Sequence, residues 1–164
     1  MNLRLSLPAE RVRTGADPVL RHPASEVETF DQTVRSLVAR MRRTMVARDG
    51  IGLAAPQIGV GLRVLLWDLP GTPEGWVMGG PPRGALVNPR IISVSDRTCV
   101  LLEGCLSLPG VSVPVTRPAA VAVEGIDRRG RNVRLDASGM VARVLLHELD
   151  HLDGALIDDH CGTT

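Results

Sequence analysis

The sequence predicts an α+β fold, with antiparallel or mixed β-sheets packed around a C-terminal helix and an amphipathic helix near the N-terminus. Three observations predict it. Apolar residues recur at spacings of three and four over 26–48, the mark of a helix with one buried face. Short β-rich runs bounded by Gly, Pro and Asp fill the middle of the chain. A second helical pattern near the end contains His147-Glu148-Leu149-Asp150-His151.

The 164 residues are read as a single domain, 1–164, long enough to bury a core. With 44% hydrophobic residues but one Phe, two Trp and no Tyr, that core must be aliphatic. A net charge of +1 argues against a broad nucleic-acid surface. All 19 basic residues are Arg, which we take as composition bias. No stretch approaches the roughly 20 apolar residues of a membrane span, and Met1 to Glu10 lacks a signal-peptide core. Cys99, Cys105 and Cys161 are an odd number and fit thiols or ligands better than disulfides. The expected location is the cytoplasm, and the expected state is a monomer.

Residues 1–25, punctuated by Pro8, Pro18 and Pro23, read as a surface arm, extended over 1–16. From Glu26 to Arg48, Phe30, Val34, Leu37, Val38, Met41 and Met45 form the apolar stripe of a helix ended by Gly50. The stretch 50–59 is small and apolar except for Gln57. Leu62 to Leu69 reads as a buried strand and Pro70 to Gly84 as a surface loop. Ala85 to Val94 is strand-like, with Pro89 marking an edge or a bulge, and Thr98 to Leu102 follows. Val111–Val115, Ala119–Ile126 and Asn132–Leu135 complete the strands, the last two joined as a hairpin through Asp127-Arg128-Arg129-Gly130. Ser138 or Asp136 caps the last helix, which carries Val141, Val144, Leu145, Leu149 and Leu152 and ends at Gly154.

The chemistry starts on that helix. His147 and His151, four residues apart, share one face and can reach one divalent metal, with Glu148 beside it. Two histidines need a further protein ligand. A downstream histidine at the protease spacing would occupy position 157, which is Ile157, and no Glu follows Glu148. Asp153, Asp158, Asp159, His160 and Cys161 remain as downstream choices, but the short tail positions them poorly. Upstream, Cys105 lies in Glu103-Gly104-Cys105-Leu106-Ser107. A lone Cys is usually a small buried hydrophobe. A two-His helix lacking its downstream ligand favours Cys105 as the third, in a tetrahedral site with one open position, the form that catalytic metals take.

Gly50-Ile51-Gly52-Leu53-Ala54-Ala55-Pro56-Gln57, Glu103-Gly104-Cys105-Leu106-Ser107 and His147-Glu148-Leu149-Asp150-His151 resemble, in order and character, the three blocks of the peptide deformylases. The resemblance extends from about Asp17 to Asp158. It implies a metal-dependent hydrolase that removes the formyl group from N-formylmethionyl nascent peptides, releasing formate. A metal on Cys105, His147 and His151 would bring the pKa of its bound water from about 15.7 toward about 7, and the resulting hydroxide would attack the formyl carbon. Glu148 would serve as general base and then acid. The resemblance assigns the oxyanion to the Gln57 side-chain amide and the Leu106 backbone N–H. It assigns the methionine pocket to Ile51, Leu102, Val144 and His147, with backbone of Ile51, Gly52 and Gly110 pairing with the peptide. It casts Glu103 and Arg117 as a structural ion pair. It implies Fe²⁺ as the working metal, while the mixed thiolate and imidazole donors also suit Zn²⁺, Co²⁺ and Ni²⁺.

Some positions depart from the family. Leu146 stands where Gln is frequent, so a polar contact behind the metal is expected to be lost. Ser112 lies near where some relatives carry a peptide-binding Arg. The tail is too short for the long C-terminal helix that docks certain relatives on the ribosome, leaving only transient ribosome proximity. His22 and His160 are expected at the surface and Cys99 in sheet packing. Two other classes compete: a metallopeptidase cutting internal bonds, disfavoured by the missing downstream ligand, and a metal-holding paralogue that binds without turnover. The retention of Glu148, which is not a ligand, argues against the second.

Overall fold

The computed structural model describes residues 8–69 and 79–161. Residues 1–7 of the expected arm and 70–78 of the expected loop lie outside the described residues. Two α-helices and seven strands are present among those described. In chain order they are α1 (Gln32–Ala47), β1 (Gly52–Ala54), β2 (Val64–Asp68), β3 (Arg83–Val94), β4 (Thr98–Cys105), β5 (Leu108–Pro118), β6 (Ala120–Ile126), β7 (Asn132–Ser138) and α2 (Gly139–Leu152).

The strands form two sheets. Five strands pair in the order β1-β2-β3-β6-β7, and β4 pairs only with β5. Every pairing between these strands is antiparallel. The large sheet is covered on both faces. On β2, Val64 and Leu66 join Val34, Leu37, Met41 and Met45 of α1, while Leu65 and Trp67 join Val141, Leu145, Leu149 and Leu152 of α2. Burial on both faces explains why β2 reads as a continuous apolar run with no alternation. Completely burying a Leu or Met side chain is worth about 1.5–3 kcal/mol, so α1 is anchored mainly by this stripe.

Several boundaries differ from expectation for local reasons. Helix α1 starts at Gln32 rather than Glu26, because the Asp31 side chain accepts from the backbone N–H of Thr33 and Val34. The preceding segment is claimed elsewhere: Asn88 accepts from the Val27 N–H at 2.7 Å and donates to its carbonyl at 2.9 Å. At the other end Asp49, with φ 53°, and not Gly50, takes the left-handed position. The pairing of β3 with β6 shifts register between Val87 and Arg90, so Pro89 marks a bulge in a strand that pairs on both sides, not an edge. Ser138 sits at the N-cap of α2 without a side-chain bond, while Asp136 belongs to β7. The C-terminal carbonyls of α2 are met by Arg63, which donates to Leu152 and also pairs with Asp153 at 2.8 Å. Gly154 follows with φ 80°. No helix among the described residues is long and apolar enough to cross a membrane.

Candidate active site

The small sheet β4–β5 lies against α2, and the site forms between them and the start of β1. Cys105 closes β4, and Leu106 and Ser107 turn the chain into β5. Gln57 sits on a 3₁₀ turn, Ala55–Ile58, directly after β1. Helix α2 brings Val144, His147, Glu148 and His151. An open cleft of about 1150 Å³ is lined by Ile51, Gly52, Gln57, Leu102, Cys105, Leu106, Gly110, Val144, His147 and Glu148. Of the residues expected at the site, only His151 is absent from that lining; it is 1% exposed, with Nε2 3.2 Å from Cys105 Sγ.

Donor atoms of Cys105, His147 and His151 all lie within 4.8 Å of one another, the only such group of three among the described residues. The downstream alternatives are engaged elsewhere. Asp153 pairs with Arg63, and Asp158 and Asp159 both pair with Arg21 at 2.8 Å. His160, expected at the surface, is half-buried with Nε2 2.9 Å from Asp150, while Cys161 is exposed.

The surroundings fit a divalent cation. His147 Nδ1 lies 2.9 Å from Glu103 Oε2, which fixes the ring and leaves Nε2 for a metal. Burial lowers the His147 pKa, but hydrogen bonds with Cys105 and Glu103 outweigh it and raise the value to about 10. The same negative surroundings that retain a proton there favour a metal cation. Burial holds the His151 pKa well below its ordinary value, which keeps the neutral, lone-pair form that metals bind. The Ser107 backbone N–H donates to Cys105 Sγ at 3.4 Å, which helps to orient the sulfur.

Glu148 is 3% exposed, and its Oε2 is buried with no hydrogen-bond partner. Burial pushes this carboxyl up to about 7. Gly52 makes room for it: a β-carbon there would collide with Glu148 Oε1 and with Val144 Cγ1. Gln57, 1% exposed, is oriented at both ends. Its Oε1 accepts from the Ala54 N–H at 2.8 Å, and Nε2 donates to Ser107 Oγ at 3.3 Å, with Cys105 Sγ at 3.7 Å.

Behind the site lies a buried charge cluster. Glu103 accepts from Arg117 through both oxygens, at 2.6 and 2.9 Å, and from Arg143 at 2.6 Å. Arg117 reaches on to Asp150 at 2.9 Å. Burial raises the Glu103 pKa, but the His147 and Arg117 bonds outweigh it and hold the carboxyl far below its ordinary range.

Other expected positions fall differently. Leu102 is 72% exposed, so it borders the cleft at its mouth. Cys99 is exposed rather than packed in a sheet interior, and its Sγ lies 3.2 Å from Arg143. Leu146 is buried in the apolar cluster between α2 and the large sheet. Ser112 is exposed and pairs with Gly104. The arm is closer to the chemistry than a surface strap: the Arg13 N–H donates to the Gln57 carbonyl at 2.8 Å and the Gly15 N–H to the Ser107 carbonyl at 2.9 Å. Sequence reasoning gave no role at the site to Ser107, to the arm or to Arg143. Only Arg143 left a signal, as a charge inside the apolar run Val141 to Leu146.

A donor set of this kind beside a buried carboxylate, on an α+β scaffold, marks a metal-dependent hydrolase. The sequence matches the family described as polypeptide deformylase over residues 9–164. It is 41% identical to the peptide deformylase of Natranaerobius thermophilus over 150 residues, 92% of this chain and 90% of that one. The crystal structure of the Ehrlichia chaffeensis peptide deformylase in complex with actinonin superposes with a TM-score of 0.88 at 38% identity, covering 96% and 91% of the two chains. That of Thermotoga maritima gives 0.84 at 37%, covering 94% and 98%. The chain belongs to the peptide deformylase family. It is therefore an enzyme of the class that removes the formyl group from N-formylmethionyl peptides made in protein biosynthesis, and that class depends on a metal.

Proposed function

We propose that Cys105, His147 and His151 hold one divalent ion, Fe²⁺ in the working enzyme, and that Glu148 carries the protons of deformylation. The observation that carries this is the convergence of three donors within 4.8 Å beside a buried carboxylate oxygen that has no partner. An ion bound there supplies an acidified water and polarises the formyl oxygen. Glu148, with its carboxyl near 7, takes the proton of the attacking water and passes it to the leaving amine. Gln57 Nε2 and the Leu106 N–H receive the negative charge that develops on the formyl oxygen, in a pocket already oriented by Ala54 and Ser107. Ile51, Val144 and the mouth residue Leu102 take up the methionine side chain, and Gly52 and Gly110 present backbone to the peptide as an added strand.

The test is formate release from formyl-Met-Ala-Ser by protein prepared without oxygen, with Glu148→Ala as the control. Formate from the unmodified protein and none from the variant is the expected result. Bound metal with no formate from the unmodified protein contradicts the proposal.

A further inference from the structure

Arg143 lies one helical turn before His147 on the same face of α2. Arg143 is 5% exposed, and both of its terminal nitrogens are engaged. Nη1 donates to Glu103 Oε1 at 2.6 Å and to the Val115 carbonyl at 3.1 Å; Nη2 donates to the Cys99 carbonyl at 2.8 Å. One side chain on α2 thus ties β4 and β5 together and grips the carboxylate that holds His147.

Glu103 has about four lone-pair positions, and four donors fill them. Arg117 and Arg143 share Oε1, while Arg117 and His147 share Oε2. Arg117 holds the carboxylate through both oxygens and is itself tied to Asp150 at 2.9 Å. Arg143, pinned to the Val115 and Cys99 carbonyls, adds a second hold on Oε1 from the helix that carries His147. We propose that Arg143 is a positioning residue for the metal site: through Glu103 it sets the ring orientation of His147 and so the affinity and geometry of the bound ion. This rests on the assignment of His147 as a ligand.

The charge of Arg143 and its fork act in opposite directions on a nearby cation, so the informative variant keeps one and removes the other. Arg143→Lys retains the charge and loses the three-way fork. We expect its dissociation constant for Zn²⁺, read by competition with a chromophoric chelator, to rise about 10–100-fold. The visible absorption of the Co²⁺-loaded variant should shift as the coordination geometry loosens. Arg143→Gln repeats both measurements should lysine prevent folding. An unchanged Zn²⁺ constant and Co²⁺ spectrum in the variant, whatever its melting temperature, would make Arg143 a structural clamp only and overturn the inference. Failure of the His147 assignment looks different: His147→Ala and the unmodified protein would then bind Zn²⁺ equally.

Discussion

The two sheets of this protein are held in place by different physics. The five-stranded sheet is stabilised by apolar side chains on both faces, packed against α1 and α2. The two-stranded sheet β4–β5 contributes Val115 to the buried apolar residues and leaves Val100, Leu101, Leu102 and Val111 exposed along the cleft. Its grip on α2 is the Glu103, Arg117, Arg143 and Asp150 cluster. Apolar packing is non-directional and tolerates adjustment, whereas a saturated carboxylate fixes direction. The strand that delivers Cys105 is thus attached by the directional interaction, which also orients His147.

That contrast yields predictions that can break it. Glu103→Gln should cost the most, about 3–5 kcal/mol in urea unfolding, because two buried guanidinium groups lose their shared anion. The pH dependence has a definite sign. Folding depresses the Glu103 pKa, so its contribution is complete above the unfolded value near 4.5 and fades as pH falls below it. Acid titration of stability should therefore be flatter in Glu103→Gln than in the unmodified protein below that pH.

Leu66→Ala probes the other region. Leu66 is 0% exposed between the sheet and α1, and the variant should lose about 2–5 kcal/mol. Its metal affinity and its turnover per folded molecule should stay unchanged. A metal affinity that falls in step with stability would erase the distinction between the regions. Gly52→Ala should reverse the pattern: the added methyl displaces the Glu148 carboxylate, so kcat drops about 10²–10⁴-fold while metal content holds. The smallest effect belongs to Asp127→Asn in the β6–β7 turn. There the Arg131 side chain holds the carboxyl down to about 2, and the loss should appear only as a slight fall in melting temperature, with the site untouched.

The same division governs how much could be read from the sequence. His147, Glu148 and His151 were legible because helical periodicity converts a spacing of four into a shared face. The core of α1 and the continuous burial of β2 were legible for the same reason, since each is a local pattern. Cys105 came from elimination and family resemblance, and Gln57 from resemblance supported by its apolar setting. Which strands would leave the main sheet was not legible, because β4 carries the apolar run Val100 to Leu102 that a buried strand would carry. Here the run lines a cleft and stays exposed. The arm was read as surface because backbone hydrogen bonds such as Arg13 to Gln57 leave no mark on side-chain identity. The cluster around Glu103 was half legible: Arg117 came with the resemblance, while Arg143 passed as one more arginine in a chain whose basic residues are all arginine.

The central claim is that the site takes its third ligand from the small sheet, and metal content tests it directly. Cys105→Ser and Cys99→Ser, purified without oxygen and dialysed against metal-free buffer, are compared by atomic emission. Cys99→Ser should retain one metal per chain and Cys105→Ser should lose most of it. Equal metal content in the two variants would contradict the account.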